Sequence, residues 1–232
     1  MKITVVGASG LIGTKVVEVL KAEGHDVMAP SRSTGLDVLT GAGLADALAG
    51  ADALIDVTNS PSFEADAVMD FFSSSATNIA AAAKAADVGH YVALSIVGVD
   101  GLPDSGYMRA KVAQEKIITE SGLPYSIVRA TQFAEFTEAI TDSLTVGDEV
   151  RVPDALIQPI PADEVAAAVA HAAAGAPLNG IVNVGGRQKV TFEQMARDAL
   201  ERKGDDSKAV VVDPEARYYG AALETSSLVI PG

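Results

Sequence analysis

The 232-residue chain is 48% hydrophobic and 21% charged, long enough to bury one sizeable core and too apolar to be disordered throughout. Seventeen basic against 31 acidic residues give a formal charge of −14, so the surface repels nucleic acid and anionic lipid and argues against both as partners. Cysteine is absent, which excludes disulfides, thiol nucleophiles and Cys-ligated zinc and suits a reducing compartment.

The N-terminus, MKITVVGASGLIGTKVVEVL, superficially mimics a signal peptide. Lys15 and Glu18 interrupt its apolar run, and Gly7, Gly10 and Gly13 weaken it. No window approaches the roughly 18 uncharged apolar residues that a membrane helix needs, so the expectation is a soluble cytoplasmic chain. Residues 2–6 (KITVV) read as a buried strand ending in glycine. Ile12, Val16, Val17 and Leu20 recur at helical spacing over 11–22, and Gly24 follows as a left-handed stop. A second strand spans 26–29 and Pro30 ends it.

The alternation continues with a strand at 53–57 (ALIDV), an Ala-rich helix at 73–86 and a strand at 91–95. A helix at 105–121 closes at Gly122-Leu-Pro124, and 125–129 (YSIVR) is another strand. Such alternation demands parallel pairing through helical crossovers, which gives an α/β, doubly wound Rossmann sheet. Beyond Arg129 the rhythm loosens. Asp163 is placed to cap a helix to about 174, and 180–184 (GIVNV) reads as a strand returning to the sheet. Thr191-Phe-Glu-Gln194 is a capping box for a helix to about 203, and Asp213-Pro214 reads as a further helix start. The division expected is a cofactor-binding core over 1–150 and a smaller substrate-side lobe over 151–232.

Gly7-Ala-Ser9-Gly10-Leu11-Ile12-Gly13 lies between the first strand and the first helix. Its glycines suit a tight turn, close backbone approach to a pyrophosphate and close helix–sheet packing, and the helix N-terminus offers free N–H groups to phosphate. In that setting the motif points to a dinucleotide. The adenosine ribose of such a cofactor is met at the exit of the second strand. Asp26 lies at the wrong end of that strand, and the exit reads Pro30-Ser31-Arg32-Ser33. Two hydroxyls beside a guanidinium suit the 2′-phosphate of NADP(H), although a solvated loop arginine is also compatible with the pattern.

Ser95 ends a strand, and Tyr107 and Lys111 begin the next helix four residues apart. On a helical wheel Tyr107, Lys111, Gln114 and Ile118 form one stripe, with Ala110, Ala113 and Ile117 the buried stripe beside it. A phenol at that border can exchange a proton with a carbonyl or alcohol oxygen, a nearby ammonium would lower its pKa, and Ser95 can hydrogen-bond the reacting oxygen. A partly exposed helical tyrosine covered by a lysine would read the same way. His25, His90 and His171 have no ligand spacing, so no metal is expected, and there is no G-x-S-x-G elbow.

These residues resemble the short-chain dehydrogenase/reductase superfamily, in particular its atypical NmrA-like branch. The resemblance rests on GASGLIG at 7–13, SRS at 31–33, YMRAKVAQEKIITESGLPYSIVRATQF at 107–133 and QPIPADEVA at 158–166, with the tail YYGAALETSSLVIPG also similar. It implies that Asp37 and Val38, at the end of a third strand, contact adenine. It implies that Thr58 and Asn59 line the central ribose region and that Lys111 bonds the nicotinamide ribose. Ala130, Thr131 and Gln132 would border the nicotinamide, while Phe133 and Phe136 would wall the substrate or belong to the core. The chain stops at Gly232, where similar proteins continue. The function implied is an NADPH-dependent reductase of a small carbonyl, quinone or conjugated substrate. The alternative within the branch is a non-catalytic NADP(H) sensor acting through a protein partner.

Overall fold

The computed structural model describes residues 1–231. Strand β1 (Lys2–Val6) leads into helix α1 (Leu11–Ala22) and strand β2 (Asp26–Met28). Helix α2 (Leu44–Leu48), strand β3 (Ala53–Asp56), helix α3 (Ala65–Ala85), strand β4 (His90–Ile96), helix α4 (Gly106–Glu120) and strand β5 (Tyr125–Ala130) follow. The remainder comprises α5 (Thr137–Ser143), β6 (Thr145–Val146), β7 (Glu149–Val152), β8 (Leu156–Ile157), α6 (Ala162–Ala174), β9 (Gly180–Val184), β10 (Val190–Thr191), α7 (Phe192–Lys203) and β11 (Ala209–Val212).

Six strands form a parallel sheet in the order β2-β1-β3-β4-β5-β9. The expected doubly wound α/β architecture is therefore present. β1 and β3 are buried on both faces, which is why they read as continuous apolar runs. One face is covered by α1 and α6, through Ile12, Val16, Leu20, Val165, Ala166 and Val169. Each large aliphatic side chain there contributes roughly 1.5–3 kcal/mol of burial. The other face carries α2 and α3, with Leu44, Leu48, Ile79 and Ala83 against Leu54 and Tyr91. Strand order reverses between β2 and β3 about β1, so the crevice at the carboxyl ends of β1 and β3 is the switch point where such sheets bind ligands.

The C-terminal segments build two small sheets, β11-β7-β6 and β10-β8. Val150, Val152, Phe192, Met195, Leu200 and Tyr218 share a core with Val99 and Met108 of the first half. A charged clasp ties β5 to α4: Arg129 donates to Glu115 at 2.5 and 2.9 Å and to Asp100 at 2.5 and 3.1 Å.

Several local expectations are corrected. The Ala-rich helix starts at Ala65 instead of residue 73, because Val68, Phe71 and Phe72 continue its buried stripe. Asp163 is not the cap of α6. Pro161 holds that position, the Glu135 carboxylate accepts the Ala162 N–H at 3.0 Å, and Asp163 pairs with Lys15 at 2.6 Å. Half of the box at Thr191 forms: its hydroxyl accepts from Gln194 N, but the Gln194 amide turns to Asp198. No helix starts at Asp213-Pro214, where the carboxylate accepts the Glu215 N–H at 2.9 Å and closes a turn. No strand ends at 37–38 either; Asp37 makes a single bridge to Ala42. On α4 the inward stripe holds Ala110, Lys111, Gln114, Glu115 and Ile118, while Ala113 and Ile117 are half-buried.

Candidate functional site

The loop from β1 to α1 owes its shape to two glycines. Gly7 has φ +89°, and a Cβ there would lie 2.7 Å from the Val57 carbonyl carbon and 2.9 Å from Thr58 N. A Cβ on Gly13 would lie 2.1 Å from the Gly7 oxygen. Gly10 differs, since its added Cβ would meet only the Gly7 oxygen, at 3.4 Å. Gly10 is also the N-cap of α1 and makes no side-chain cap. The N–H groups of Leu11, Ile12 and Gly13 in the first turn have no partner within the helix. Ser9 and Leu11 are exposed beside them, and Ile12 is buried beneath. A bare, uncapped helix start at the switch point fits a dinucleotide pyrophosphate.

After β2 the chain turns through Ser31-Arg32-Ser33-Thr34. The Thr34 hydroxyl accepts from Ser31 N at 2.8 Å, and the Ser31 and Ser33 hydroxyls bond each other at 2.8 Å. Arg32 is exposed and makes no salt bridge among the described residues. Asp37 spends its carboxylate on the Leu39 N–H at 2.9 Å, and the half-buried Val38 accepts from Asn78 through its carbonyl at 3.0 Å.

The exit of β3 connects this loop to the tyrosine. Asp56, 1% exposed, accepts through one oxygen from Thr58 N at 3.0 Å and Thr58 Oγ1 at 2.7 Å. Its other oxygen accepts from Tyr91 Oη and Gln114 Nε2, both at 3.0 Å. Asn59 Oδ1 in turn accepts from Tyr107 Oη at 2.7 Å and Ser60 N at 2.9 Å. Sequence reasoning passed over Asp56, although a carboxylate inside the apolar run ALID is itself a signal that buried donors must meet it.

Lys111 is buried and donates to the Leu94 carbonyl at 2.9 Å and to Gln114 Oε1, with its ammonium 4.5 Å from the Phe72 ring centre. Burial lowers its pKa to about 8, opposed by the charges of Asp56 and Glu115. Phe72 also meets Tyr107 edge-on at 5.8 Å. The expected lowering of the Tyr107 pKa by Lys111 does not occur. Burial first, and then the neighbouring Tyr219, push the phenol well above its ordinary range.

Ser95 and Gln132 are buried at the carboxyl ends of β4 and β5 with side-chain atoms that have no protein partner. Such orphaned groups call for an external partner or water. Thr131 bonds the Gln158 carbonyl at 2.5 Å, and Ala130 is packed in the core. Phe133 is half-buried against that core and meets the exposed Phe136 at 5.5 Å. Two clefts lie elsewhere. One of about 370 Å³ is lined by Thr137, Pro159, Met195, Asp198 and Arg202, and another of about 360 Å³ by Ser73, Ser74, Thr77 and Asn78. Among the described residues no cluster of His, Asp and Glu is arranged to hold a metal, and no helix is long and apolar enough to cross a membrane.

Residues 7–175 match a protein family described as NAD(P)H-binding. No curated protein matches the chain in sequence. Among solved structures it is similar to the Streptomyces venezuelae dTDP-glucose 4,6-dehydratase DesIV with NAD and TYD bound, with TM-score 0.75 and 18% identity over 97% of this chain and 89% of that one. It is also similar to the Bordetella bronchiseptica enzyme WbmH in complex with NAD+, at TM-score 0.72 and 17% identity over the same shares. A dTDP-4-dehydrorhamnose reductase of Clostridium acetobutylicum superposes at TM-score 0.70 and 18% identity over 92% of this chain and 84% of that one.

Proposed function

The chain belongs to the NAD(P)H-binding family, and we propose that it is an NADPH-dependent oxidoreductase of the short-chain dehydrogenase/reductase superfamily. Its substrate on this reading is a small carbonyl, quinone or conjugated compound. One contact carries the proposal. The glycine loop packs on the Val57–Thr58 peptide, and the next residue, Asn59, holds the Tyr107 hydroxyl at 2.7 Å. The phosphate cradle and the proton donor are thus joined through one short loop.

The Gly7–Gly13 loop and the start of α1 would hold the pyrophosphate, and Arg32 with Ser31 and Ser33 would take the 2′-phosphate. NADPH supplies a hydride when bound. Tyr107 gives its phenolic proton to the oxygen of the reduced substrate and regains one from solvent. Burial raises the pKa of that phenol, so it carries its proton at neutral pH and is in the form a proton donor requires. The lone Ser95 hydroxyl and the Gln132 amide supply hydrogen-bonding groups for ligand, and Lys111 places positive charge under the carboxyl end of β4. In this account residues 1–150 are the cofactor core, 151–232 the substrate-side lobe, and the protein works in the cytoplasm as an NmrA-like member of the superfamily. With an accepted substrate, Tyr107→Phe lowers turnover ~10²-fold while NADPH affinity holds. Undiminished turnover in that variant removes Tyr107 from the mechanism.

A second reading, an NADP(H) sensor acting on a protein partner, is favoured by one observation. The Tyr107 proton is committed to Asn59 and the Lys111 ammonium to Leu94 and Gln114. That reading requires unequal affinities for NADPH and NADP⁺, because a ligand shifts a conformational equilibrium only by differential binding. Equal affinities, measured by calorimetry, remove it.

A further inference from the structure

We propose that Phe63 and Tyr219 form an aromatic clamp that selects a flat, uncharged, ring-bearing substrate, a quinone in chemical class, over Tyr107. The inference rests on the oxidoreductase reading and narrows its substrate. Phe63 and Tyr219 come from segments far apart in the chain, yet their rings lie 5.8 Å apart and within 21° of parallel. Phe63 also meets the Tyr107 ring at 5.7 Å. Phe63 is 62% exposed and Tyr219 45%, and the Tyr219 ring also meets Tyr218 edge-on at 4.7 Å. Phe63 thus lies against the phenol that bonds Asn59.

Each ring is presented by a stiff support. The loop carrying Phe63 is stitched by three successive bonds: Ser60 N to Asn59 Oδ1 at 2.9 Å, Ser62 N to Ser60 Oγ at 3.2 Å, and Glu64 N to Ser62 Oγ at 3.1 Å. Tyr219 sits at the tip of a two-residue hairpin, where Tyr218 and Ala221 exchange backbone bonds at 2.9 and 3.0 Å. The two tip residues have φ of +47° and +85°. Positive φ at both positions is the arrangement that Asn-Gly adopts with least strain, and a tyrosine there is disfavoured. The fold holds this ring in a costly backbone conformation, as happens where a side chain serves a ligand. Of the neighbouring arginines in sequence, Arg109 donates to the Pro103 carbonyl at 2.6 Å and Arg217 pairs with Glu215 at 3.7 Å. The cover over Tyr107 offers stacking faces.

A flat ring entering between Phe63 and Tyr219 turns the two side chains apart on their fixed backbone supports and replaces their mutual stacking with its own, whereas a saturated carbonyl compound cannot. The reaction balances with the proposed cofactor: the quinone takes up a hydride from NADPH and a proton through Tyr107, giving hydroquinone and NADP⁺. The chain has no cysteine, so a quinone probe is not diverted into thiol adducts.

The test is calorimetric binding of 1,4-naphthoquinone and of cyclohexane-1,4-dione, with and without NADP⁺ (which cannot pass a hydride to them), to the parent chain, Tyr219→Asn and Phe63→Leu, with NADPH titrated separately in the absence of quinone. Tyr219→Asn places the preferred pair Asn-Gly in the turn, so its thermal midpoint should equal or exceed that of the parent. Loss of ligand affinity there cannot then be misfolding. The expected result is naphthoquinone binding that weakens about 3- to 10-fold in each variant, the worth of one aromatic stack, with NADPH affinity and the weak dione binding unchanged. Naphthoquinone binding that is absent from the parent, or unaltered in both variants, or lost in parallel with the dione, overturns the clamp. If the parent fails to bind NADPH but naphthoquinone still depends on both rings, the clamp stands and the oxidoreductase reading falls.

Discussion

Two alanine substitutions in the glycine loop should have opposite consequences, because the two glycines meet different surroundings. At Gly13 an added Cβ would lie 2.1 Å from the Gly7 oxygen and 2.7 Å from Ala8 Cα. That is more than an ångström inside ordinary contact, against backbone that has no rotamer to change. The loop or the helix must shift, and overpacking of this kind costs about 1–3 kcal/mol. Gly13→Ala should therefore lower the thermal midpoint as well as cofactor affinity. At Gly10 the nearest atom to an added Cβ is 3.4 Å away, so Gly10→Ala should fold with a midpoint close to the parent's. Its methyl instead fills the open side of the helix start, where the pyrophosphate must approach. A loss of about 2 kcal/mol there corresponds to a roughly 30-fold weaker NADPH affinity. Thermal melts with and without 1 mM-scale NADPH, together with calorimetry, separate the two effects. Parent-like NADPH affinity in Gly10→Ala, or parent-like stability in Gly13→Ala, would refute the assignment of the cradle.

Three further outcomes follow from the geometry. Arg129→Met leaves the buried Glu115 carboxylate without its guanidinium and should cost roughly 3–5 kcal/mol in urea melts; adding Glu115→Gln should recover part of that loss, and a purely additive double variant would contradict the pairing. Lys111 binds its proton less tightly folded, near pKa 8, than unfolded, so its contribution to stability is complete above the unfolded value and lost as pH falls through about 8. The parent should gain stability over Lys111→Met between pH 8 and about 10, and a flat difference across that window would mean that the ammonium is not desolvated. The phenols of Tyr91, Tyr107 and Tyr218 are raised by burial, so they stabilise below the unfolded tyrosine value of about 10 and progressively less above it. Melts from pH 9 to 11.5 should show that decline, and Tyr107→Phe should remove part of it.

The sheet was legible where its periodic signals are strong. KITVV, ALID and YSIVR are apolar runs because parallel strands are covered on both sides, and the spacing of Ile12, Val16 and Leu20 reports the face of α1 packed on them. The two small sheets escaped notice because their strands are two to four residues long, too short to show a period. At Asp213-Pro214 the same two residue types serve a helix start or a turn, and the carboxylate chose the turn. Within the site, the glycine loop and the Tyr107–Lys111 spacing could be read directly. The Asn59 acceptor could be reached only by resemblance. The inward turn of Lys111 could not be read, because it depends on Gln114 and Asp56 meeting from different elements. Phe63 and Tyr219 were invisible for the same reason: their contact joins two loops that local sequence does not relate.

The central claim is that the loop and Arg32 hold a phosphorylated dinucleotide, and calorimetric titration of the parent and of Arg32→Ala with NADPH, NADP⁺ and NADH tests it most directly. Tight NADPH binding and weak NADH binding by the parent are expected, with Arg32→Ala about tenfold or more weaker for NADPH and nearly unchanged for NADH. Equal losses for both cofactors in Arg32→Ala, or no binding of any of the three by the parent, would contradict it.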